Sequence, residues 1–191
     1  MKTLTYKSIS TCFVLFLSAS VFSTASLSLE LADEMTVTLH TVDDEKIDIG
    51  KLEITSESDG YHYKFHLDDE KFEDEFLSMR PFKCMKNEKI MLCHLAYSYP
   101  NNKFISSGKL TDLEYDLLFL HKKSADYGID AWNGLYYLLK ESQNGVEGTL
   151  QEVDLNILAA PPEEGDLRPI TADMLHPADP LHHWFPKLTI Q

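Results

Sequence analysis

Alternation of apolar and polar residues confines a chain to extended strands, because successive side chains of a strand leave the backbone on opposite faces. That period of two dominates here. "MTVTLHTV" sets Met35, Val37 and Leu39 against Thr36, Thr38 and His40. "KIDIGKLEI" alternates Ile47 and Ile49, then Leu52 and Ile54, and the odd step across Gly50 predicts a bulge. "YHYKFHL" puts Tyr61, Tyr63, Phe65 and Leu67 on one face and His62, Lys64 and His66 on the other. Acidic turns separate these runs: "VDDEK", "ESDG" and "LDDEK".

The pattern continues beyond residue 70. "KFEDEFLSMRPF" reads as a strand that breaks, and "EKIMLCHLAYSY" and "KFISSGKL" follow. "EYDLLFLHK" is apolar on both faces, as in a strand covered on two sides. "WNGLYY" offers Asn133–Gly134 as a hairpin turn, or Gly134 as a bulge in one long strand. "TLQEVDLNILA" alternates again, and "KLTIQ" reads as an added edge strand. No long segment holds a 3.6-residue period. The expected fold is all-β, with about eight to ten strands forming an antiparallel barrel or a two-layer β-sandwich. The sequential hairpins make an up-and-down barrel the first expectation.

Three segments divide the chain. Residues 1–25 read as a cleaved signal peptide: Lys2 and Lys7, an apolar run too short to span a bilayer, then small residues at Ser23–Thr24–Ala25. Cys12 lacks the leucine three positions earlier that a lipid-anchored cysteine would need. The remaining chain is expected to be exported, periplasmic or extracellular, with no stable membrane anchor. Residues 26–160 form the β domain. Residues 161–191 hold Pro161, Pro162, Pro169, Pro177, Pro180 and Pro186, and are expected to wrap the same domain. Leu167, Ile170, Leu175, Trp184 and Phe185 would hold this wrap, with Thr171 capping a helical turn in "TADML".

The formal net charge of −14 disfavours nucleic acid and anionic lipid as partners. Residues 81–110 differ, with a single acid, Glu88, against Lys83, Lys86, Lys89, Lys103 and Lys109. This segment either meets an acidic partner or neutralises acidic neighbours across a sheet. Within it, Cys84 and Cys93 flank the turn "KNEK". A reversal at Glu88–Lys89 brings them opposite one another, about 4.5 Å apart at Cα, within disulfide reach. Such a bond would stabilise the fold by about 2.7 kcal/mol in the chain-entropy account.

No catalytic constellation is legible. There is no GxSxG, and "SSGK" lacks the leading glycines of a phosphate loop. Asp112, Glu114 and Asp116, like Glu152 and Asp154, read as structural or solvated carboxylates. His62 and His66 lie roughly 13 Å apart along one strand, too far to share an ion. The C-terminal "HPADPLHHWFP" offers His176, Asp179 and His182 as three ligands of a metal-dependent hydrolase, or as parts of a tail that covers apolar surface. No cofactor is expected. Tyrosines spread over nearly every strand would line a cavity for a small amphipathic ligand if the sheet closed. "LSMRPFKC", "DYGIDAWNG" and "EVDLNILAAPPEEGDLRP" resemble segments of exported bacterial proteins, which implies export and no particular reaction. The resulting expectation is a non-enzymatic binding or accessory protein. Its partner would be a protein or a small amphipathic ligand, met through Lys83, Lys86, Lys89, Tyr97 and Tyr99.

Overall fold

The computed structural model describes residues 30–78, 80–162 and 165–191. The expected signal peptide lies outside the described residues. Among the described residues no helix is long and apolar enough to cross a membrane.

The chain is all-β. Among the described residues twelve strands form one antiparallel sheet: β1 (Glu34–His40), β2 (Lys46–Ser56), β3 (Tyr61–Leu67), β4 (Glu73–Phe76), β5 (Pro81–Lys86), β6 (Ile90–His94), β7 (Phe104–Ile105), β8 (Phe119–Lys123), β9 (Gly134–Ser142), β10 (Gly145–Val153), β11 (His176–Pro177) and β12 (Lys187–Ile190). The spatial order is β4-β5-β6-β8-β9-β10-β12-β1-β2-β3-β7, with β11 on the edge of β10. The sheet does not close into a barrel: β4 and β7 end the path unpaired with each other. It folds over instead, so that Leu39, Leu52, Leu92, Tyr137 and Leu188 share one core, as in a sandwich.

Several local expectations hold for a stated reason. In β2, Val37 faces Gly50 and Thr38 faces Asp48, leaving Ile49 as the extra residue of a bulge. In β3, Tyr63 is buried while His62, Lys64 and His66 are exposed. Cys84 lies opposite Cys93 in the β5–β6 hairpin, with Cα atoms 4.0 Å apart, and the two form a disulfide. Asn87 shapes the hairpin turn: its side chain accepts the N–H groups of Lys89 and Ile90, both at 2.8 Å.

Other expectations are corrected. "EYDLLFLHK" is not one strand. It is the end of a short helix, α1 (Thr111–Asp116), followed by β8. Asn133–Gly134 makes neither a hairpin nor a bulge; Gly134 starts β9. A Cβ there would lie 2.4 Å from both the Val153 carbonyl oxygen and Leu155 Cγ, so only glycine lets these backbones meet. "KLTIQ" is not an edge. β12 sits between β1 and β10, with Leu188, Thr189 and Ile190 buried, and joins the two ends of the described chain.

A second apolar layer covers only part of the sheet. Phe82, Cys84, Met91, Leu120, Tyr136 and Val153 face outward from β5, β6, β8, β9 and β10 and are buried. Leu155 in the turn after β10 and Ile170 in the proline-rich segment cover them. That segment then pairs with β10 through β11, crosses to the inner face, buries Phe185 there, and enters the sheet as β12. The segment therefore serves as a wrap on both faces.

Candidate functional site

Helix α1 distributes three carboxylates. Positions two apart on a helix point roughly 200° apart, so Glu114 faces away from Asp112 and Asp116, which lie four apart on one face. Asp112 and Asp116 both border Asn101, whose side-chain amide reaches the Asp112 carbonyl and the Asp116 carboxylate, while Glu114 meets β9. Asp112 accepts from Arg168 Nε at 3.0 Å and Nη2 at 2.6 Å. Glu114 accepts from the Tyr136 hydroxyl and from the Leu139 N–H at 2.8 Å. Burial pushes the Glu114 carboxyl above its usual range, against the pull of those hydrogen bonds. Asp116 accepts from Tyr63 Oη at 2.7 Å, Lys103 Nζ at 2.6 Å and Asn101 Nδ2 at 3.2 Å. Its backbone carbonyl accepts from His94 Nε2 at 2.8 Å, and burial lowers the pKa of that imidazole.

The tyrosines are anchors. Tyr137 donates to the Phe185 carbonyl at 2.8 Å, and Tyr115 Oη accepts the Ile170 N–H at 2.7 Å. Tyr97 donates to the Leu167 carbonyl. Burial pushes the phenols of Tyr63, Tyr115, Tyr136 and Tyr137 well above their ordinary range. Arg168 lies over the rings of Tyr97 and Tyr115, at 5.2 and 5.1 Å from their centroids. Tyr99 packs edge-on against Tyr97, with centroids 5.6 Å apart. The space bounded by Leu92, His121, Leu135, Tyr137 and Phe185 is about 10 Å³, room for a single water at most.

The lysines of the basic segment are engaged within the sheet. Lys83 Nζ lies 3.1 Å from Asp69 and 3.3 Å from Asp74. Lys86 Nζ lies 3.2 Å from Glu73 and 2.6 Å from Glu75. Lys89 is exposed in the hairpin turn. At the C-terminal cluster, Asp179 and His182 form an exposed pair at 3.3 Å, while His176 stands opposite Glu152 in the β10–β11 ladder. Among the described residues, no three His, Cys, Asp or Glu side chains are placed to hold one metal ion. The buried histidine of the cluster is His183. Its Nε2 donates to Glu152 at 2.7 Å, and its ring packs edge-on against His121 at 4.9 Å. Burial first, then the His183 charge, lowers the His121 pKa.

Two surface features stand apart from these satisfied networks. The first is a cleft of about 510 Å³ between the 107–111 turn and β9, walled by Glu114, Lys140 and Glu141. Glu141 there holds the turn, accepting from Gly108 N–H at 2.6 Å and Ser107 Oγ at 3.2 Å. The second is a groove of about 460 Å³ beside Trp132, floored by Val153, Ile157 and Met174 and bordered by Asp154 and His176. Trp132 is 69% exposed, and Tyr127, in the same β8–β9 loop, is fully exposed. Position 128 of that loop approaches Leu77, next to Phe76, itself 77% exposed at the end of β4. The sequence shows these aromatics as members of an alternating pattern or a turn, with no mark that they face water.

Comparison of the chain with protein-family models, with curated proteins and with solved structures returns no match.

Proposed function

We propose that this is an exported, non-enzymatic β-domain that binds a partner through its exposed aromatic end. The observation that carries this reading is the exposure of Trp132 beside an apolar groove; Tyr127 in the same loop and Phe76 at the end of β4 are exposed as well. Large aromatics are costly to leave in water and are enriched where proteins meet. Several charged residues, by contrast, are paired within the chain. Asp112 and Asp116 hold Arg168 and Lys103, and Lys83 and Lys86 lie against four acids. The disulfide agrees with an oxidising compartment, and the N-terminal segment supplies an export address.

Two measurements test this. N-terminal sequencing of the exported chain should begin at Ser26; an intact Met1 on the folded protein would remove the export element. A photo-crosslinking residue at position 127 should give a discrete adduct in intact producing cells, and Trp132→Ala should abolish it. The same probe at Leu181, also exposed, should give none. Equal labelling at both positions, or none at 127, overturns the binding surface.

A further inference from the structure

We propose that His121 and His183 form an acid-sensitive latch, which lets go of the C-terminal segment around Trp184 when both imidazoles carry a proton. The latch joins two distant parts of the chain. His121 belongs to β8 and faces the inner core beside Leu92 of β6 and Leu135 of β9. His183 belongs to the wrap, just before Trp184 and Phe185. The two rings meet edge-on, with centroids 4.9 Å apart. The space they share with Leu92, Leu135, Tyr137 and Phe185 has room for a single water at most, so little solvent stands between them.

One carboxylate serves both rings. His183 Nε2 lies 2.7 Å from Glu152 of β10, so a proton on His183 gains an ion pair. Glu152 also favours a proton on His121, but from beyond ion-pair distance. The other titratable groups at this contact are His182, which pairs with Asp179 at the surface, and the Tyr137 phenol, which donates to the Phe185 carbonyl. The first proton therefore settles on His183, and a second on His121 sets two cations side by side against one carboxylate. Burial first, then the His183 charge, holds the His121 pKa below its ordinary value. A histidine that the folded state keeps neutral supports that state above the ordinary value of about 6.5, and the support is lost as pH falls through it. The strain is relieved at the wrap. β8 is laddered to β6 and β9, whereas the wrap beside His183 is tied by the Tyr137 bond and by the Leu150 N–H to the Pro186 carbonyl at 3.2 Å. Its release uncovers Leu135 and Tyr137 of the inner core.

Trp132→Phe leaves Trp184 as the sole tryptophan, and Trp184 borders the same space as the two histidines. In that chain, lowering the pH from about 7.5 to about 5 should shift the emission to the red, and raising it again should restore the blue position. Protection against amide exchange should fall at Leu150 and His182 and persist in β1 and β2. NMR titration of the imidazoles should show His121 taking up its proton over the same pH range as the emission change. His121→Phe keeps a ring against His183 and removes the second cation, so its emission should stay blue at the lower pH. His121→Gln takes its place if circular dichroism shows that the phenylalanine variant loses the sheet. Constant emission over the whole range overturns the latch. So does an equal red shift in the His121 variant, an opening in which β1 and β2 lose protection together with the wrap, or an opening at a pH where His121 takes up no proton.

Discussion

Strands β1 to β3 turn Lys51, Glu53, His62, Lys64 and His66 to water on their outer face. Strands β5, β6, β8, β9 and β10 turn Phe82, Met91, Leu120, Tyr136 and Val153 outward instead, beneath a second layer. The first half needs one packed face and satisfies the other with exposed pairs such as Lys51–Glu34 at 2.7 Å. The second half is covered by α1 and by chain with little regular structure, of which only the two residues of β11 join a ladder, so most of its backbone groups need other partners. Side chains pair with them instead. Tyr115 accepts the Ile170 N–H, Tyr97 reaches the Leu167 carbonyl, and Arg168 donates to the Pro100 and Leu167 carbonyls at 3.2 and 2.6 Å. A layer with little regular structure thus draws tyrosine and arginine into structural roles.

The sharpest way to break this comparison is at the strand that serves both halves. Leu188 of β12 is fully buried between β1 and β10. Leu188→Ala should lower global stability by about 3–4 kcal/mol through lost burial and the cavity left behind. Urea denaturation followed by tyrosine and tryptophan emission would measure it. A loss below about 1 kcal/mol would mean that the inner core tolerates collapse at this position, and that β12 does not join the halves energetically.

A smaller and more local effect is expected in the outer layer. Arg168→Ala removes the Asp112 pair, two carbonyl contacts and the cover over two tyrosine rings. The pair keeps some solvent contact, so about 2 kcal/mol is the appropriate scale. The loss should appear as opening of the wrap rather than of the whole sheet. Hydrogen exchange should accelerate at residues 166–175 and leave the amides of β1 and β2 unchanged. Uniform acceleration through both halves would show that the outer layer is not a separate unit.

What the sequence revealed follows the same division. Alternation reads correctly where one face meets water: Met35, Val37, Leu39, Leu52, Ile54 and Tyr63 are all buried as the period requires. The facing cysteines were also legible, because a hairpin turn of known polar residues sets their register. Legibility failed where both faces are covered. There the apolar run "EYDLLFLHK" no longer carries a period, so the helix end at Asp116 and the strand start at Phe119 merge. β12 looked like an edge because five residues cannot announce two neighbours, each supplied by a distant part of the chain. The partners of Asp116 and Arg168 were equally hidden. They lie in other elements, and nothing in the spacing of Asp112, Glu114 and Asp116 says which element each will meet.

The smallest effect is expected at the basic hairpin, which carries the covered half's outermost charges. Lys83 and Lys86 project from β5 toward the acids of β4 and the preceding turn, and all of these side chains keep substantial contact with water. Hydrogen bonds donated to Asp69 and to Glu75 raise the pKa values of Lys83 and Lys86 respectively, so both ammonium groups stay charged through the neutral range. Exposed pairs of this kind add little to stability and are screened by salt. Lys83→Gln/Lys86→Gln should therefore leave the urea midpoint within replicate error at moderate ionic strength. Lys83→Glu/Lys86→Glu places like charges across the β4–β5 ladder and should lower the midpoint at low salt, with recovery as salt is added. A fall in the midpoint of the glutamine variant at moderate ionic strength would mean that these exposed pairs help to hold the covered half together, contrary to the division drawn between the two halves.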